Sequence, residues 1–157
     1  MSIHIVLFEP EIPPNTGNIA RSCVATESDL HLIHPLGFDI SEKTARRAGM
    51  DYWQHVKLHE YQSLDDFFEK NVGGSFYFVE TGGTTIHSDA DFSNPKEDIY
   101  FIFGSESKGL PASVLEANKD KILTIPMGSH VRSLNLSNTA AILIYEALRQ
   151  QHYQNII

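Results

Sequence analysis

The sequence predicts an α/β domain with a parallel sheet flanked by helices, and three observations lead to this prediction. Five short apolar runs rich in Val, Ile, Phe and Tyr hardly alternate with polar residues, as expected of strands that are covered on both faces. Longer amphipathic stretches separate these runs, which is the alternation typical of three-layer α/β folds. No internal repeat, low-complexity segment or Gly/Ser linker interrupts the chain, so we expect a single domain over residues 1–157.

The predicted strands and helices follow one another along the whole chain. The strands are Ile3–Phe8, Leu30–Ile33, Phe76–Val79, Tyr100–Phe103 and Leu123–Ile125. The helices are Gly17–Thr26, Ser41–Ala48, Leu64–Asn71, Ala112–Ala117 and Leu136–Gln151. Ser63 is a natural N-cap for the third helix, and Pro111 suits the first turn of the fourth. Right-handed crossovers are the default connection between such parallel strands.

The composition is that of an ordinary globular protein with an acidic balance. The chain has 157 residues, a net charge of −8 and a pI of about 5.4. Its apolar runs are far shorter than the ~20 residues of a membrane span, and no signal peptide is recognisable, so we expect a cytoplasmic protein. The single cysteine, Cys23, fits a reducing compartment and is expected to be packed. The negative charge argues against a nucleic-acid partner unless a local basic face exists.

Polar loops follow three of the predicted strands, at the ends where open α/β sheets bind ligands. The first loop covers residues 9–18, E-P-E-I-P-P-N-T-G-N, and leads into a helix that carries Arg21. A helix N-terminus favours an anion, and the Arg21 guanidinium is suited to clamping a phosphate. The same residues are equally typical of a helix cap followed by a surface arginine.

The second and third polar loops lie in the C-terminal half. Residues 103–111, F-G-S-E-S-K-G-L-P, place two glycines around a polar stretch, so the backbone can approach a ligand closely or simply form a solvated turn. This is neither a Walker A sequence nor a G-x-G-x-x-G fingerprint, which argues against NAD and an ordinary Rossmann methyltransferase. Residues 125–138 crowd together more Arg, Ser and Asn than capping of the last helix requires.

Three segments taken together resemble the signature motifs of the SPOUT RNA methyltransferases, TrmH-like branch. They read N-T-G-N-I-x-R-x-C, F-G-S-E-S-K-G-L-P and I-P-M-…-V-R-S-L-N-L-S-N, and the similarity extends through H-L-I-H-P-L-G-F and R-R-A-G-M-D-Y-W. The resemblance implies a parallel sheet whose C-terminal part forms a deep trefoil knot, an exception to the rule against knots. It also implies S-adenosylmethionine as cofactor, a homodimer and a tRNA substrate.

The resemblance further implies a substrate position. The chain carries no added RNA-binding domain, and in this it is similar to branch members that methylate the ribose 2′-hydroxyl of the wobble nucleotide, cytidine or uridine 34, of leucine tRNAs. Methylation of another RNA, such as ribosomal RNA, is the alternative within the same chemistry. A catalytically silent RNA-binding module and a small nucleotide-binding α/β protein are alternatives from other functional classes.

By the same resemblance, two overlapping sets of residues form the site. Cofactor contacts are expected at Val79, Gly104, Ile125, Met127, Ser133 and Leu134. The catalytic set is Asn15, Arg21, Glu106, Ser133 and Asn135: Asn15 positions the first loop, Arg21 lies beside the reacting hydroxyl and its phosphate, and the others shape the methyl-donor site. Because a guanidinium holds its proton, phosphate clamping or stabilisation of an alkoxide is easier for Arg21 than the role of general base.

The remaining polar residues give weaker signals. The most basic surface is expected from Lys43, Arg46, Arg47 and Lys57, which Arg132 and Arg149 would join across a dimer; an ordinary solvated face explains the same residues. Tyr145 is a candidate for orienting substrate or supporting the dimer, or a buried structural tyrosine. Eight histidines show no H-x-x-x-H spacing or cysteine pairing typical of zinc, so we expect no metal.

Two departures from the family pattern concern stability and substrate. Thr26 is followed by Glu27 where the family commonly has glycine, so the glycine C-cap of the first helix is lost. The tail after Tyr153 carries no basic residue, which removes one source of tRNA affinity. Tyr52 and Trp53 are expected to anchor the core or an interface.

Overall fold

A single parallel sheet forms the centre of the molecule. The computed structural model describes residues 2–41, 51–154 and 156. The strands are β1 (Ile3–Phe8), β2 (Asp29–Ile33), β3 (Lys57–Tyr61), β4 (Ser75–Val79), β5 (Thr85–Ile86), β6 (Ile99–Phe103) and β7 (Ile122–Thr124). Within the described residues they form a seven-stranded sheet in the order β3-β2-β1-β6-β4-β7-β5, and each neighbouring pair is parallel. The predicted α/β class with a parallel sheet is confirmed.

Two of these strands were not predicted from the sequence, and both lie at edges of the sheet. In β3 the sequence K-L-H-E-Y has three polar residues, all of them exposed, so it lacks the continuous apolar run of a buried strand. In β5 only Thr85 and Ile86 pair with β7, which is too short for any periodicity. The other five predicted strands are present, each shifted by at most one residue at an end.

Helices cover both faces of the sheet. They are α1 (Pro13–Thr26), α2 (Leu64–Lys70), α3 (Ala112–Ala117) and α4 (Leu136–Gln150), with short 3-10 turns at Asp51–His55, His87–Asp89 and Lys119–Lys121. The helix predicted over Ser41–Ala48 lies outside the described residues, apart from Ser41 itself. No helix in the described part of the chain is long and apolar enough to cross a bilayer.

The start of α1 corrects the prediction most relevant to function. The sequence predicted a loop through residue 18 and a helix from Gly17, whereas the helix begins at Pro13. Pro13 and Pro14 occupy the first turn, where a missing N–H costs nothing and a fixed φ favours the helix. Asn15 therefore lies in the first helical turn, and Arg21 lies farther along the helix than predicted.

Two apolar clusters make up the core, one on each face. Alternate residues of β1 point to opposite sides: Ile5 packs with Ile19 of α1 and Leu143 of α4, whereas Val6 packs with Phe67 of α2. Helices α1 and α4 thus cover one face, and α2 with α3 cover the other. The predicted alternation of strands and helices therefore gives three layers, with helices on both faces of the sheet.

The thiol of Cys23 belongs to this core. The side chain is fully buried, and burial raises the pKa of the thiol to about 12. A thiol that stays protonated is a poor nucleophile, because the thiolate is the reactive form. The expectation that Cys23 is a packing residue is confirmed. Tyr52 and Trp53 also pack against this cluster as partly buried residues, and the Tyr52 hydroxyl donates to the Gly17 carbonyl at 2.8 Å.

The C-terminus of α1 ends in a left-handed residue that is not glycine. Glu27 has φ 54° and ψ 35°. Its amide donates to the carbonyl of Val24 at 3.3 Å, and the Ser28 amide donates to the carbonyl of Cys23 at 2.8 Å. This is the Schellman pattern, in which glycine is preferred because a Cβ is strained at positive φ. Glu27, which stands where the family commonly has glycine, is therefore the left-handed residue at which glycine is preferred.

Replacing Glu27 by glycine is expected to stabilise the fold. Glycine relieves the strain of the left-handed conformation, but it also makes the unfolded chain more flexible. The net gain in the free energy of unfolding is roughly 0.5–1 kcal/mol. For a domain of this size the melting temperature should rise by about 1–4 °C, measured by thermal circular dichroism. Glu27→Ala is the matched control, since alanine removes the charge and keeps the Cβ; an equal gain in both variants would contradict the strain argument.

Candidate functional site

A cavity of about 320 Å³ opens at the carboxyl ends of the central strands. Strands β1, β6, β4 and β7 are neighbours in the sheet, so the segments that follow them meet at one edge. The cavity is lined from all four: the start of α1 after β1, residues 103–109 at the end of β6, residues 79–81 at the end of β4, and residues 124–139 from β7 into α4. This is the edge at which parallel α/β sheets bind ligands.

The cavity brings together residues that are far apart in sequence. All six residues predicted to contact cofactor line it: Val79, Gly104, Ile125, Met127, Ser133 and Leu134. Four of the five predicted catalytic residues line it as well: Asn15, Glu106, Ser133 and Asn135. The structure thus collects the three polar loops into one site, and the binding role of each residue stays a prediction.

A hairpin of residues 105–109 forms part of the wall, and it lies directly on Gly104. Ser105 and Gly109 form an antiparallel bridge, in which the Gly109 amide donates to the Ser105 carbonyl at 2.9 Å. A Cβ on Gly104 would stand 2.1 Å from the Gly109 carbonyl carbon and 2.3 Å from the Leu110 nitrogen. Gly109 itself has φ 68°, a conformation that favours glycine. Both glycines of the second loop are therefore required by the backbone.

The carboxylate of Glu106 fastens the wall to the segment before α1. It accepts hydrogen bonds from the backbone amides of Glu11 at 2.8 Å and Ile12 at 3.2 Å, and from the Asn15 side-chain amide at 3.5 Å. Its oxygens are therefore occupied by the loop after β1, and the expectation that Glu106 shapes the methyl-donor site stays a prediction. Amides at the start of a helix suit a carboxylate, since the helix dipole adds to the hydrogen bonds.

A reciprocal contact closes the same junction. The Glu11 carboxylate accepts from the Ser107 amide at 3.0 Å and from the Ser107 hydroxyl at 2.6 Å. The hydrogen bond from the Ser107 hydroxyl is the main cause that lowers the pKa of Glu11. Loops after β1 and β6 are thus bonded in both directions, which fixes one side of the cavity.

Asn135 joins the opposite side of the cavity to α1. Its side-chain oxygen accepts from the amides of Ser137 at 2.9 Å and Asn138 at 3.3 Å, so Asn135 is the N-cap of α4. Its side-chain nitrogen donates to the Asn15 side-chain oxygen at 3.0 Å. One asparagine therefore caps a helix and ties it to another, and a chain of contacts runs Glu106–Asn15–Asn135 across the cavity.

Arg21 does not lie in this cavity. It follows Asn15 by six residues on the same helix, which corresponds to about 9 Å along the axis and a rotation of about 240°. The side chain is exposed, and its guanidinium carbon lies 6.0 Å from the centre of the Tyr52 ring. Within one chain Arg21 is not among the residues that line the cavity, and its expected place beside the reacting hydroxyl stays a prediction.

The model of the SpoU rRNA Methylase family matches residues 2–145 of the chain. The chain belongs to this family. A protein of Geobacillus stearothermophilus that is assigned as a tRNA (cytidine(34)-2′-O)-methyltransferase is 56% identical over 156 residues, covering 99% of each chain.

Solved structures of methyltransferases are similar to this chain as well. The structure described as giving insights into 2-OH methylation of C/U34 on tRNA superimposes with a TM-score of 0.87 at 43% identity, covering 96% of this chain and 97% of the other. The SpoU methyltransferase AviRb from Streptomyces viridochromogenes, solved in complex with AdoMet, reaches 0.78 at 23% identity, over 96% of this chain and 61% of that one. The second likeness concerns the fold alone.

Some residues of this SpoU site were not predicted from the sequence. Glu80, Thr81 and Thr139 line the cavity, and a Glu80 carboxylate oxygen lies 3.0 Å from the position of a Cβ on Gly109. Glu80 and Thr81 directly follow β4, so the rule that ligands bind beyond strand ends would have found them. Thr139 lies one turn into α4, where no sequence signal distinguishes it from a helix-capping neighbour.

The residues expected to contact RNA or to support the dimer differ in their exposure and contacts. Tyr145 is 46% exposed on α4, so the buried structural role is excluded. Arg149 is bonded to Glu146 at 2.8 Å, and Arg132 is exposed beside the cavity segment. Lys57 is exposed at the start of β3; Lys43, Arg46 and Arg47 lie outside the described residues.

Replacing Asn135 separates its two roles in this SpoU site. Asn135→Ala removes both the cap and the link to Asn15, and we expect a loss of about 1–2 kcal/mol in the free energy of unfolding, measured by urea titration. Asn135→Asp keeps an oxygen for the cap and loses the donor to Asn15. We therefore expect near-native stability together with weaker cofactor binding; unchanged binding in Asn135→Asp would show that the link to Asn15 is dispensable.

Proposed function

We propose that this chain transfers a methyl group from S-adenosylmethionine to the ribose 2′-oxygen of nucleotide 34, cytidine or uridine, in tRNA. The observation that carries the proposal is the single cavity at the carboxyl edge of the sheet, which unites the three motif loops. Support also comes from relatives that match over nearly their full length and are named for this reaction. We place the reaction in the cytoplasm.

The cavity suits a cofactor of this size and chemistry. Its volume of about 320 Å³ lies at the lower end of the range for small-molecule sites, roughly 300–1,000 Å³. Its wall at Gly104 and Gly109 presents bare backbone, whose amides and carbonyls can bond an adenine or a ribose. Val79, Ile125 and Leu134 add apolar surface. When bound, S-adenosylmethionine supplies a methyl group already activated on a sulfonium.

The residues of the chain then have to place the ribose in line with the methyl group. The Glu106–Asn15–Asn135 chain holds the two walls at a fixed separation, and such alignment can contribute much of the reduction in barrier. Ser133 and Met127 lie on the segment between β7 and α4, at the side from which the ribose would enter. We assign Arg21 to the tRNA phosphate or the developing alkoxide. Because Arg21 lies outside the cavity of its own chain, this role requires that the tRNA or the second chain of the proposed homodimer brings the reacting ribose within its reach.

The knot belongs to this proposal. Strand β6 lies between β1 and β4, and β7 lies between β4 and β5, so the C-terminal part of the chain inserts on both sides of an earlier strand. That order supports the deep trefoil knot implied by the sequence motifs.

A homodimer is also part of the proposal. Val131 is 57% exposed, Tyr145 46% and Leu134 37%, and all three lie on α4 or on the segment that leads into it. Large apolar side chains exposed beside the cavity are typical of an interface. Light scattering coupled to gel filtration should give twice the mass of the 17.6 kDa chain; the monomer mass would contradict the dimer.

The decisive experiment uses purified protein, methyl-labelled S-adenosylmethionine and leucine tRNA transcripts. We expect label in a 2′-O-methylated pyrimidine at position 34, identified by nuclease digestion and mass spectrometry. The matched control is the same transcript with a 2′-deoxy nucleotide at position 34, which must take no label. Ribosomal RNA is the second substrate offered, because the family description names it; label there and none in tRNA would select that alternative.

A further inference from the structure

A cluster of titratable side chains lies near the amino ends of the strands, whereas the cavity lies at their carboxyl ends. His4 on β1 pairs in register with Asp29 on β2, and His31 on β2 pairs with His59 on β3. Asp29 and His31 are two residues apart on one strand, so their side chains share a face. His4 and His31 are only 8% and 1% exposed. The methyl-transfer site uses none of these residues.

The two buried imidazoles face each other through one nitrogen and are anchored through the other. His4 Nδ1 lies 2.9 Å from His31 Nε2. On the far side, His4 Nε2 lies 3.2 Å from an Asp98 carboxylate oxygen, and His31 Nδ1 lies 2.9 Å from the Tyr61 hydroxyl. Metal-ligating histidines are held in this way, with the second ring nitrogen bonded to a carboxylate or another oxygen.

We propose that this cluster binds one divalent transition-metal ion, with Zn²⁺ as the best fit, through His4 Nδ1, His31 Nε2 and a carboxylate oxygen of Asp29. One ligand atom from each of these residues lies within 4.8 Å of the others. Two imidazoles and a carboxylate are a donor set that zinc prefers, and water can complete the tetrahedron.

Binding requires the two rings to move apart slightly and to tilt, because their facing nitrogens now point at each other and must instead point at one ion. Two nitrogens bound to one zinc at about 2.0–2.1 Å are about 3.3 Å apart in tetrahedral geometry. The rings, now 2.9 Å apart at their facing nitrogens, would separate by roughly 0.4 Å. His31 also moves its ring proton to Nδ1, where the Tyr61 hydroxyl oxygen can accept it. No protein group has to leave the cluster, and the hydrogen bond between the two imidazoles is replaced by two metal bonds.

Charge and access favour a dication. Asp29 and Asp98 supply two negative charges, which offset the charge of the ion. The side chains of Asp29 and His59 are 16% and 44% exposed, and they bond each other at 2.9 Å, so an ion can enter from that side.

The site would be structural, because it ties β1 to β2 at the edge remote from the cavity. The sequence analysis predicts no metal, since the proposed ligands do not follow a spacing typical of zinc. His4 and His31 are 27 residues apart and become neighbours only through the pairing of two parallel strands. Its test is independent of methyl transfer, because it measures metal binding and thermal stability.

The experiment is a titration of the full-length protein, freed of metal by chelator, with ZnCl₂ in a calorimeter and with CoCl₂ in a visible spectrometer. We expect one ion per chain, absorption bands of tetrahedral Co²⁺, and a higher melting temperature with Zn²⁺. Asp29→Asn should weaken Zn²⁺ binding by at least ~10-fold. Tyr61→Phe, which keeps the ring and removes the hydroxyl, should weaken it by about 10–100-fold. Far-UV circular dichroism verifies that each variant is folded.

His34→Gln is the matched control. His34 is a partly exposed histidine that is bonded to the Glu60 carboxylate at 2.8 Å. It therefore makes a histidine–carboxylate contact like those of the cluster, but outside it. This substitution should leave the Zn²⁺ affinity unchanged. Absence of binding, binding that survives both Asp29→Asn and Tyr61→Phe, or binding lost in His34→Gln would each overturn the proposal.

Discussion

Replacing Gly104 by alanine is expected to abolish cofactor binding and to destabilise the fold. The new Cβ would stand 2.1 Å and 2.3 Å from backbone atoms of Gly109 and Leu110. Backbone cannot rotate away as a flexible side chain can, so the 105–109 hairpin must shift from the end of β6. Such overpacking costs about 1–3 kcal/mol or more. We expect S-adenosylmethionine affinity to fall by at least about 100-fold, since that hairpin carries the cavity wall and the Glu106 anchor.

Calorimetry with S-adenosylmethionine and thermal unfolding measure both effects. Gly128→Ala is the matched control, because Gly128 lies in the segment between β7 and α4, and a Cβ there meets nothing within 4 Å. That variant should bind the cofactor and melt like the unaltered protein. Wild-type affinity in Gly104→Ala would show that the hairpin moves without cost and that Gly104 does not define the wall.

The five strands that the sequence predicted are the interior strands of the sheet, and the two that it missed, β3 and β5, are the edge strands. Strand β6 has the sequence I-Y-F-I-F, and all five residues are buried, so a continuous apolar run was a sufficient signal. Strand β3 failed as a prediction because its polar residues face solvent at the sheet edge. The order of strands could not be read at all, since pairing depends on which segments meet in space rather than on the residues within each segment.

The site was predicted better than its internal contacts. Each motif loop follows a strand, and parallel strands end at one edge, so meeting of the three loops was expected. The bonds between them join residues 120 positions apart for Asn135 and Asn15, and 95 for Glu106 and Glu11. Nothing in the residue types at that separation identifies the partners. Glu106 lines the cavity as predicted, but its hydrogen bonds to the loop after β1 could not be read from the sequence.

The position of Arg21 along α1 shows the effect of an error in a predicted helix boundary. A helix beginning at Gly17 would have placed Arg21 near its N-terminus, beside the loop that enters the cavity. The helix begins at Pro13, so the first loop is shorter and Arg21 lies on an exposed face. The P-P pair, which the sequence analysis placed in the first loop, is the signal that was misjudged, since proline is also favoured in a first helical turn.

Replacing Arg21 by alanine is expected to reduce methyl transfer to tRNA by about 100–1,000-fold, the range for removal of a donor that stabilises developing charge. Cofactor affinity should be unchanged, because Arg21 is not among the residues lining the cavity. The fold should also be unaffected, since the side chain is exposed and its described contact is the one with the Tyr52 ring. Radiolabel transfer measures the rate, and calorimetry measures the cofactor affinity.

Two further variants distinguish the possible roles of Arg21. Arg21→Lys keeps the charge and loses the two-armed geometry, so a phosphate clamp predicts a raised KM for tRNA with an unchanged salt dependence of binding, whereas Arg21→Ala makes that dependence shallower. Stabilisation of the alkoxide predicts instead a lowered kcat at saturating tRNA. Lys119→Ala removes an exposed cation bonded to Glu116 and should leave both constants unchanged. Full methylation by Arg21→Ala would remove this residue from the site and leave Asn15, Glu106 and Asn135 as its polar framework.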